Sequence, residues 1–334
     1  MLELLAQRLG SGLLWVAAGT IVFTVVFGDL PGEGLYVAVL QNSCHAPAFA
    51  TLSLITLILL ARRGYGADGA PGSGVHSTVR VALVRAVTTV VAMGCLGVAT
   101  EGIQSLFGRD AELDDVVSDV VGSLGAAGLW TYAHLWKRTE RGARITRIMA
   151  LLACAGALAY WLEPLVECAD AYWHRHSQFP VLAQFHSQRD LYFIEGDLAN
   201  LRIAPTAAGQ GNIGTALEVS LGSGRWPGVT FSEPMPDWRG HATLALDLSN
   251  PGETAVSLHL RVNDHGHTGD FDDRFNTSLL LPPRKRTTIA IPLERIALAP
   301  AARRMNLKRI ATVILFHDGA APGQAFLVHR IWLE

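Results

Sequence analysis

The chain is poor in charge. Asp, Glu, Lys and Arg make up 17% of its 334 residues and sum to a net charge of −2. That near-neutral balance argues against nucleic acid as a partner. Cysteine is also scarce. Cys44, Cys95, Cys154 and Cys168 are the four, and they show no metal-ligand spacing. Cys95 and Cys154 fall inside apolar runs and are expected to be core packing. Cys44 and Cys168 are expected on the same side of a membrane, which leaves a disulfide between them open. The sequence has no G-x-S-x-G nucleophile motif and no EF-hand spacing. The first apolar run lacks a small-x-small cleavage site, so it is read as a retained span and not as a signal peptide.

What is abundant is apolar sequence: 50% of residues are hydrophobic and the mean hydropathy is +0.28. That average joins two unlike halves. Up to about Cys168 the chain is apolar runs separated by short polar loops. From His174 it turns polar, with short alternating segments and many Pro, Gly and Asn residues. The expected fold is therefore an all-α helical membrane bundle over 1–168, an interfacial linker over 169–178, and an all-β jelly-roll sandwich over 179–334. A bilayer core of about 30 Å takes roughly 20 apolar residues per helix. Five runs qualify as spans: 13–27, 46–61, 79–100, 116–136 and 148–166. Gly122, Gly125 and Gly128 in the fourth suit close helix packing.

Arginine and lysine set the orientation. Arg8 precedes the first span, Arg62, Arg63 and Arg80 separate the second and third, and Lys137, Arg138, Arg141, Arg144 and Arg147 separate the fourth and fifth. Those regions are expected in the cytoplasm with the N-terminus. The sandwich and the loops 28–45 and 101–115 are then outside a bacterial inner membrane. The same arithmetic gathers His45, Glu101, Gln104, Arg109, Asp115 and Asp119 at the outer leaflet. Glu101 and Gln104 share one helix side, as do Asp115 and Asp119, and Arg109 is the natural countercharge. Two carboxylates four residues apart repel unless a cation or proton lies between them. Ionisable groups at membrane depth point to binding or catalysis. Pairing and helix capping, with Asp114 or Asp115 as N-cap, is the structural alternative.

These residues also resemble a known family. H-x-x-x-F at His45 and Phe49, E-x-x-Q at Glu101 and Gln104, Gly108–Arg109 with Asp115 six residues on, and the pair Gly122 and Gly125 are similar in order and spacing to the VanZ-like membrane proteins. The resemblance covers about residues 10–136. It implies a cell-envelope protein of a family named for low-level glycopeptide (teicoplanin) resistance. The chain departs from the pattern at Asn42, where the family often has a basic residue, and at Asp119, where it usually has Asn.

The stretch after the fifth span contains Trp173, His174, Arg175 and His176 and reads as an interfacial anchor. Beyond it, ten short period-two segments with Gly, Pro and Asn turns, and one short helix around 293–297, indicate a sandwich. The run 261–276, RVNDHGHTGDFDDRFN, is the most informative. Together with Arg304–Leu307 and the strand ending in Phe316, it is similar to the galactose-binding-like jelly rolls of carbohydrate-binding modules. Arg261, Asn263, Asp264, His265, Asp273 and Arg274 are candidate sugar ligands, with Trp226 and Trp238 as candidate stacking platforms. An internal Asp273–Arg274 pair and core tryptophans are the alternative. Asp270, Asp272 and Asp273 offer oxygens to Ca²⁺; otherwise no metal or cofactor is expected.

Two functions compete. The first is an envelope module in which membrane lipids surround the helical part and the sandwich binds an envelope glycan or lipid-linked glycan. The second is a membrane enzyme acting on a lipid-linked or phospholipid substrate, with Glu101, His45 and an Asp as acid and base. A transporter is disfavoured, because only Arg85 approaches mid-membrane.

Overall fold

The structure, a computed structural model, describes residues 10–28, 30–64, 75–108, 112–208, 212–319 and 321–334. It divides into two compact units, Met1–Cys168 and Ala169–Glu334.

The first unit is helical. Its helices are α1 (Ser11–Phe27), α2 (Leu35–Ser43), α3 (His45–Gly64), α4 (Val75–Leu106), α5 (Leu113–His134) and α6 (Arg141–Gln178), the last continuing into the second unit. Three stretches are long and apolar enough to cross a membrane: Leu35–Arg62, Thr78–Leu106 and Arg141–Gln178. The sequence led us to expect five. Of the two that fall short, α1 has only 17 residues, and α5 has the length, at 22 residues, but is not apolar enough along it. The stretch read as an outer loop, 28–45, holds α2. Cys44 stays in helical backbone, so α2 runs almost directly into α3. The interfacial linker 169–178 is also helical, as the end of α6.

Large apolar side chains sit on the outside of these helices, among them Trp15, Phe23, Val87, Val98, Leu152 and Val166. Small residues fill the inside. The Gly122, Gly125 and Gly128 row lets α5 approach its neighbours: a Cβ at Gly125 would lie 2.8 Å from the Ala157 Cβ, and one at Gly128 would lie 2.7 Å from the Ala150 carbonyl oxygen. All four cysteines are free thiols. Cys95, expected in the core, is exposed on α4, whereas Cys154 donates to the Gly125 carbonyl at 3.2 Å.

The second unit is an antiparallel β-sandwich. One sheet has the order β3 (Ala199–Ala208), β4 (Asn212–Leu221), β11 (Ala325–Leu333), β6 (Thr243–Asn250), β9 (Lys285–Pro292), with β1 (Val181–Gln184) also on β11. The other has the order β2 (Ile194–Asp197), β5 (Gly228–Ser232), β10 (Ile310–Phe316), β7 (Val256–Asp264), β8 (Phe275–Leu281). The period-two pattern explains the core. Val256, Leu258, Leu260 and Val262 of β7 point inward, against Leu244, Leu246 and Leu248 of β6, while His259, Arg261 and Asn263 take the other face. The short helix α7 falls at Leu293–Ala297, where the sequence suggested it. Strand β1 was not anticipated. The segment around Leu191 begins as a 3-10 turn, Gln188–Leu191, because Asp190 accepts from the Ser187 and His186 N–H groups at 2.8 and 2.9 Å and bends the chain.

Tyr172, His174 and Arg175, at and just before the Trp173–His176 motif, contact the sandwich, while Trp173 is exposed. His174 Nε2 lies 2.9 Å from Asp190 Oδ1, Arg175 stacks 4.0 Å from the Phe193 ring centroid, and Tyr172 donates to Glu233 at 2.5 Å.

Candidate functional site

Two clusters carry chemistry, one in each unit. In the helical unit, α5 crosses the start of α3 so closely that a Cβ at Gly122 would lie 2.0 Å from the Ala46 carbonyl oxygen. Glycine is therefore required there, and the approach presses Asp119, one turn earlier, against His45. Asp119 Oδ1 lies 3.1 Å from His45 Nδ1. Behind it, Gly97 of α4 makes the room: a Cβ there would sit 2.6 Å from Asp119 Oδ2. One more turn back on α5, Asp115 Oδ2 lies 3.5 Å from His45 Nε2. Glu101 closes the cluster from α4. Its Oε2 accepts from the Glu112 N–H at 3.0 Å, so Glu101 caps α5 from outside the helix. Neither Asp114 nor Asp115 is the N-cap; that position is Glu112, whose own side chain makes no capping bond.

Burial here is nearly complete, with Glu101 5% exposed and Asp119 0%. Yet Glu101 Oε1 and Asp119 Oδ2 have no hydrogen-bond partner. One ligand atom each from His45, Glu101 and Asp115 lie within 4.8 Å of one another, the one such group of three among the described residues. His45 and Asp115 face a cavity of about 850 Å³ that Thr20, Gln41, Gln104 and Glu112 also line. Gln104 stands apart from the carboxylates. Its Nε2 donates to the Val25 carbonyl at 3.0 Å and ties α4 to the end of α1. Arg109, the expected countercharge, lies outside the described residues.

In the sandwich, the expected ligands split into two groups. Asp264 and Asp273 belong to a closed network around Arg303. Arg303 donates from Nη1 and Nη2 to the two oxygens of Asp264, both at 2.7 Å, and from Nε to Asp273 Oδ1 at 2.5 Å. The Asn306 and Thr268 N–H groups supply the remaining bonds. Asp264 is 2% exposed. Burial acts to raise its carboxyl pKa, but the Arg303 hydrogen bonds and charge outweigh that and hold it below the usual range. Arg303 likewise holds Asp273 low. Asp273 pairs with Arg303 and not, as the alternative had it, with Arg274, whose guanidinium approaches the Phe271 ring at 5.5 Å. Both Asp273 oxygens are thus engaged, by Arg303 and by the Thr268 N–H. Trp238 is 0% exposed and donates to the Pro234 and Met235 carbonyls, a core residue and not a platform. Trp226 remains exposed at 49%.

The second group faces solvent on the five-stranded sheet. Thr230, Ile314, Arg261 and Asn276 form one cross-strand row, and Gly228, Phe316, His259 and Ser278 the next. Arg261 lies 4.8 Å over the Phe316 ring and His259 stacks on it at 5.3 Å. Burial and the nearby charge of Arg274 both lower the Arg261 pKa, so an acceptor placed there would be welcome. Asn263 donates to Thr312 Oγ1 at 3.0 Å, while its own carbonyl oxygen has no partner. His265 sits at the end of this strand, its N–H bonded to the Arg309 carbonyl.

Sequence reasoning missed Arg303, His259 and Phe316 as participants. The alternation through His259, Arg261 and Asn263 was the available signal for the face. Nothing in the spacing marks Arg303, rather than its neighbour Arg304, as the partner of Asp264.

No family model and no curated protein matches the chain, so the VanZ-like resemblance rests on its motif residues. Among solved structures the chain is similar to an exo-beta-agarase, at 17% identity over 46% of this chain and 24% of that one, with a TM-score of 0.39. It is similar also to a family 11 carbohydrate-binding module from Clostridium thermocellum in complex with a beta-1,3-1,4-mixed-linked tetrasaccharide, at 17% identity over 46% of this chain and 93% of that one, TM-score 0.35. A third is the CBM22-1 xylan-binding domain of Paenibacillus barcinonensis Xyn10C, at 11% identity over 46% and 94%, TM-score 0.31. The chain spans about a quarter of the agarase. Likenesses at these TM-scores carry no argument of their own; the sandwich stands on its strand pairing.

Proposed function

We propose that this protein is a membrane-anchored glycan-binding module of the bacterial envelope. The helical unit spans the inner membrane in the manner of VanZ-like proteins, with the N-terminus in the cytoplasm, and the sandwich binds an envelope glycan or lipid-linked glycan outside. The apolar outer surface of the helices and the Arg and Lys distribution along the sequence support the anchoring. The glycan reading is carried by one observation: the solvent-reachable sheet face on which Arg261 and His259 both contact the Phe316 ring. An aromatic ring beside planar donors suits the apolar face and vicinal hydroxyls of a sugar.

The test is a glycan array probed with the full chain in detergent, followed by titration of the best-binding sugar. Phe316→Ala and Arg261→Ala each weaken that sugar by roughly tenfold. An array with no binder, or two variants that bind like the parent, sinks the reading.

A second reading, a membrane enzyme acting on a lipid-linked or phospholipid substrate, is favoured by the His45–Asp119 pair beside the cavity. Unchanged lipid-linked sugar turnover in Glu101→Ala, Arg109→Ala and Asp115→Ala removes it.

A further inference from the structure

We propose that His45, Glu101 and Asp115 form a binding site for one divalent first-row cation, Zn²⁺ or Mn²⁺, with Asp119 orienting the histidine from behind. The inference stands apart from glycan binding, which concerns the other unit.

The argument starts with the histidine. Asp119 Oδ1 lies 3.1 Å from Nδ1, so the neutral ring keeps its proton on Nδ1. The lone pair on Nε2 then faces Asp115 Oδ2 across 3.5 Å. Two acceptors at that separation repel unless a cation lies between them. The separation suits one ion: metal–nitrogen and metal–oxygen bonds of about 2.0–2.2 Å put neighbouring ligand atoms roughly 3–3.5 Å apart. Glu101 completes the set, its ligand atom within 4.8 Å of the other two, so a side-chain shift of about an ångström brings all three onto one ion. A carboxylate bonded to the far nitrogen of a ligating histidine is a recurrent metal-site arrangement, because it fixes the tautomer and makes the ring a better ligand.

The rival is a doubly protonated His45 bridging Asp115 and Asp119. It fails to account for Glu101, whose Oε1 is buried without a partner. A buried, unbonded carboxylate oxygen is costly, and a cation shared with Asp115 removes that cost. One divalent ion also leaves the three carboxylates and the neutral ring with one net negative charge instead of three. The mixed nitrogen and oxygen set favours Zn²⁺ or Mn²⁺ over Mg²⁺ and Ca²⁺, which prefer oxygen alone. Three protein ligands leave coordination positions open, and His45 and Asp115 face the cavity, where water or an anionic oxygen can reach them.

The full chain in detergent, stripped with chelator and dialysed, is titrated with ZnCl₂ or MnCl₂ alone, and bound metal is counted by mass spectrometry. One ion per chain is expected. His45→Gln, Glu101→Gln and Asp115→Asn each weaken it at least tenfold, Asp119→Asn weakens it about 10–100-fold at unchanged stoichiometry, and His174→Gln leaves it unaltered. Bound Mn²⁺ shows nitrogen coupling in its electron spin-echo modulation, and His45→Gln removes it. The proposal is overturned if neither ion binds at up to about 100 µM, if the three ligand variants bind like the parent, or if bound Mn²⁺ shows no nitrogen coupling. The last readout uses the unaltered chain, so it decides the matter even where a variant loses its helical circular dichroism.

Discussion

Asp264, Asp273 and Arg303 in the sandwich and His45, Glu101, Asp115 and Asp119 among the helices are both charge clusters built on buried carboxylates, but only one is complete. In the sandwich, each oxygen of Asp264 and Asp273 has a donor, and one guanidinium serves both carboxylates. In the helical cluster two carboxylate oxygens have none, and one imidazole faces two acids. A completed network fixes a loop and has little capacity left for a ligand. An incomplete one, held open by glycines that the fold requires, is where a ligand still has something to contribute.

That contrast can be broken by substitution, and the largest effect belongs to the finished cluster. Arg303→Met leaves the Asp264 charge buried and unpaired, and about 3–5 kcal/mol of sandwich stability is lost. Urea unfolding followed by tryptophan fluorescence measures it. Pairing it with Asp264→Leu removes the stranded charge and recovers a good part of the loss. If Arg303→Met alone were neutral, the network would not be what holds the 264–273 loop.

Next in size is the packing that builds the unfinished cluster. Gly122→Ala pushes a methyl into the Ala46 carbonyl at 2.0 Å, so α5 must move away from α3. Overpacking of this kind costs about 1–3 kcal/mol. It also separates Asp119 from His45, so thermal stability and cation affinity fall together. Gly102 has open space around it inside α4, and Gly102→Ala serves as the control that lowers neither, since alanine favours the helix there. The opposite sign is expected at Glu101. In chelator-treated protein, Glu101→Gln keeps an acceptor for the Glu112 N–H and removes a buried charge, so the melting temperature rises, by the equivalent of about 1 kcal/mol. The same change in Asp264, Asp264→Asn, lowers it. A drop at both positions would make the two clusters alike and end the comparison.

Some of this was legible in the sequence. Hydropathy separated the two halves, and the candidates Arg261 and Asn263 do share one face of β7, as period two requires. The E-x-x-Q and Gly-x-x-Gly pieces drew attention to Glu101 and to the glycine row of α5, because helical spacing is a local property. What the sequence did not show was pairing across elements. Asp264 meets Arg303 through a loop 39 positions away, and Gln104 turns from the carboxylates to the Val25 carbonyl. The metal set escaped notice for the same reason, since its three ligands come from α3, α4 and α5 and have no common spacing. The span count differed at α1, which is short, and at α5, which is helical as expected but is not among the three stretches long and apolar enough to cross a membrane.

The smallest effect tests whether the sandwich too has an unfinished surface. Trp226 is exposed in the turn before β5, in left-handed backbone at φ 69°, with Arg225 stacked 4.4 Å from its ring. Pro227, the next residue, accepts from the His317 N–H at 2.9 Å, so the turn adjoins the end of the strand that carries Phe316. A bulky residue in that conformation is disfavoured, and an exposed tryptophan there contributes little to the fold. Trp226→Ala is therefore expected to change sandwich stability by less than about 0.5 kcal/mol. If the turn extends the sugar-binding face, the same variant weakens glycan binding severalfold; equal affinity with and without the indole would confine the face to Arg261, His259 and Phe316.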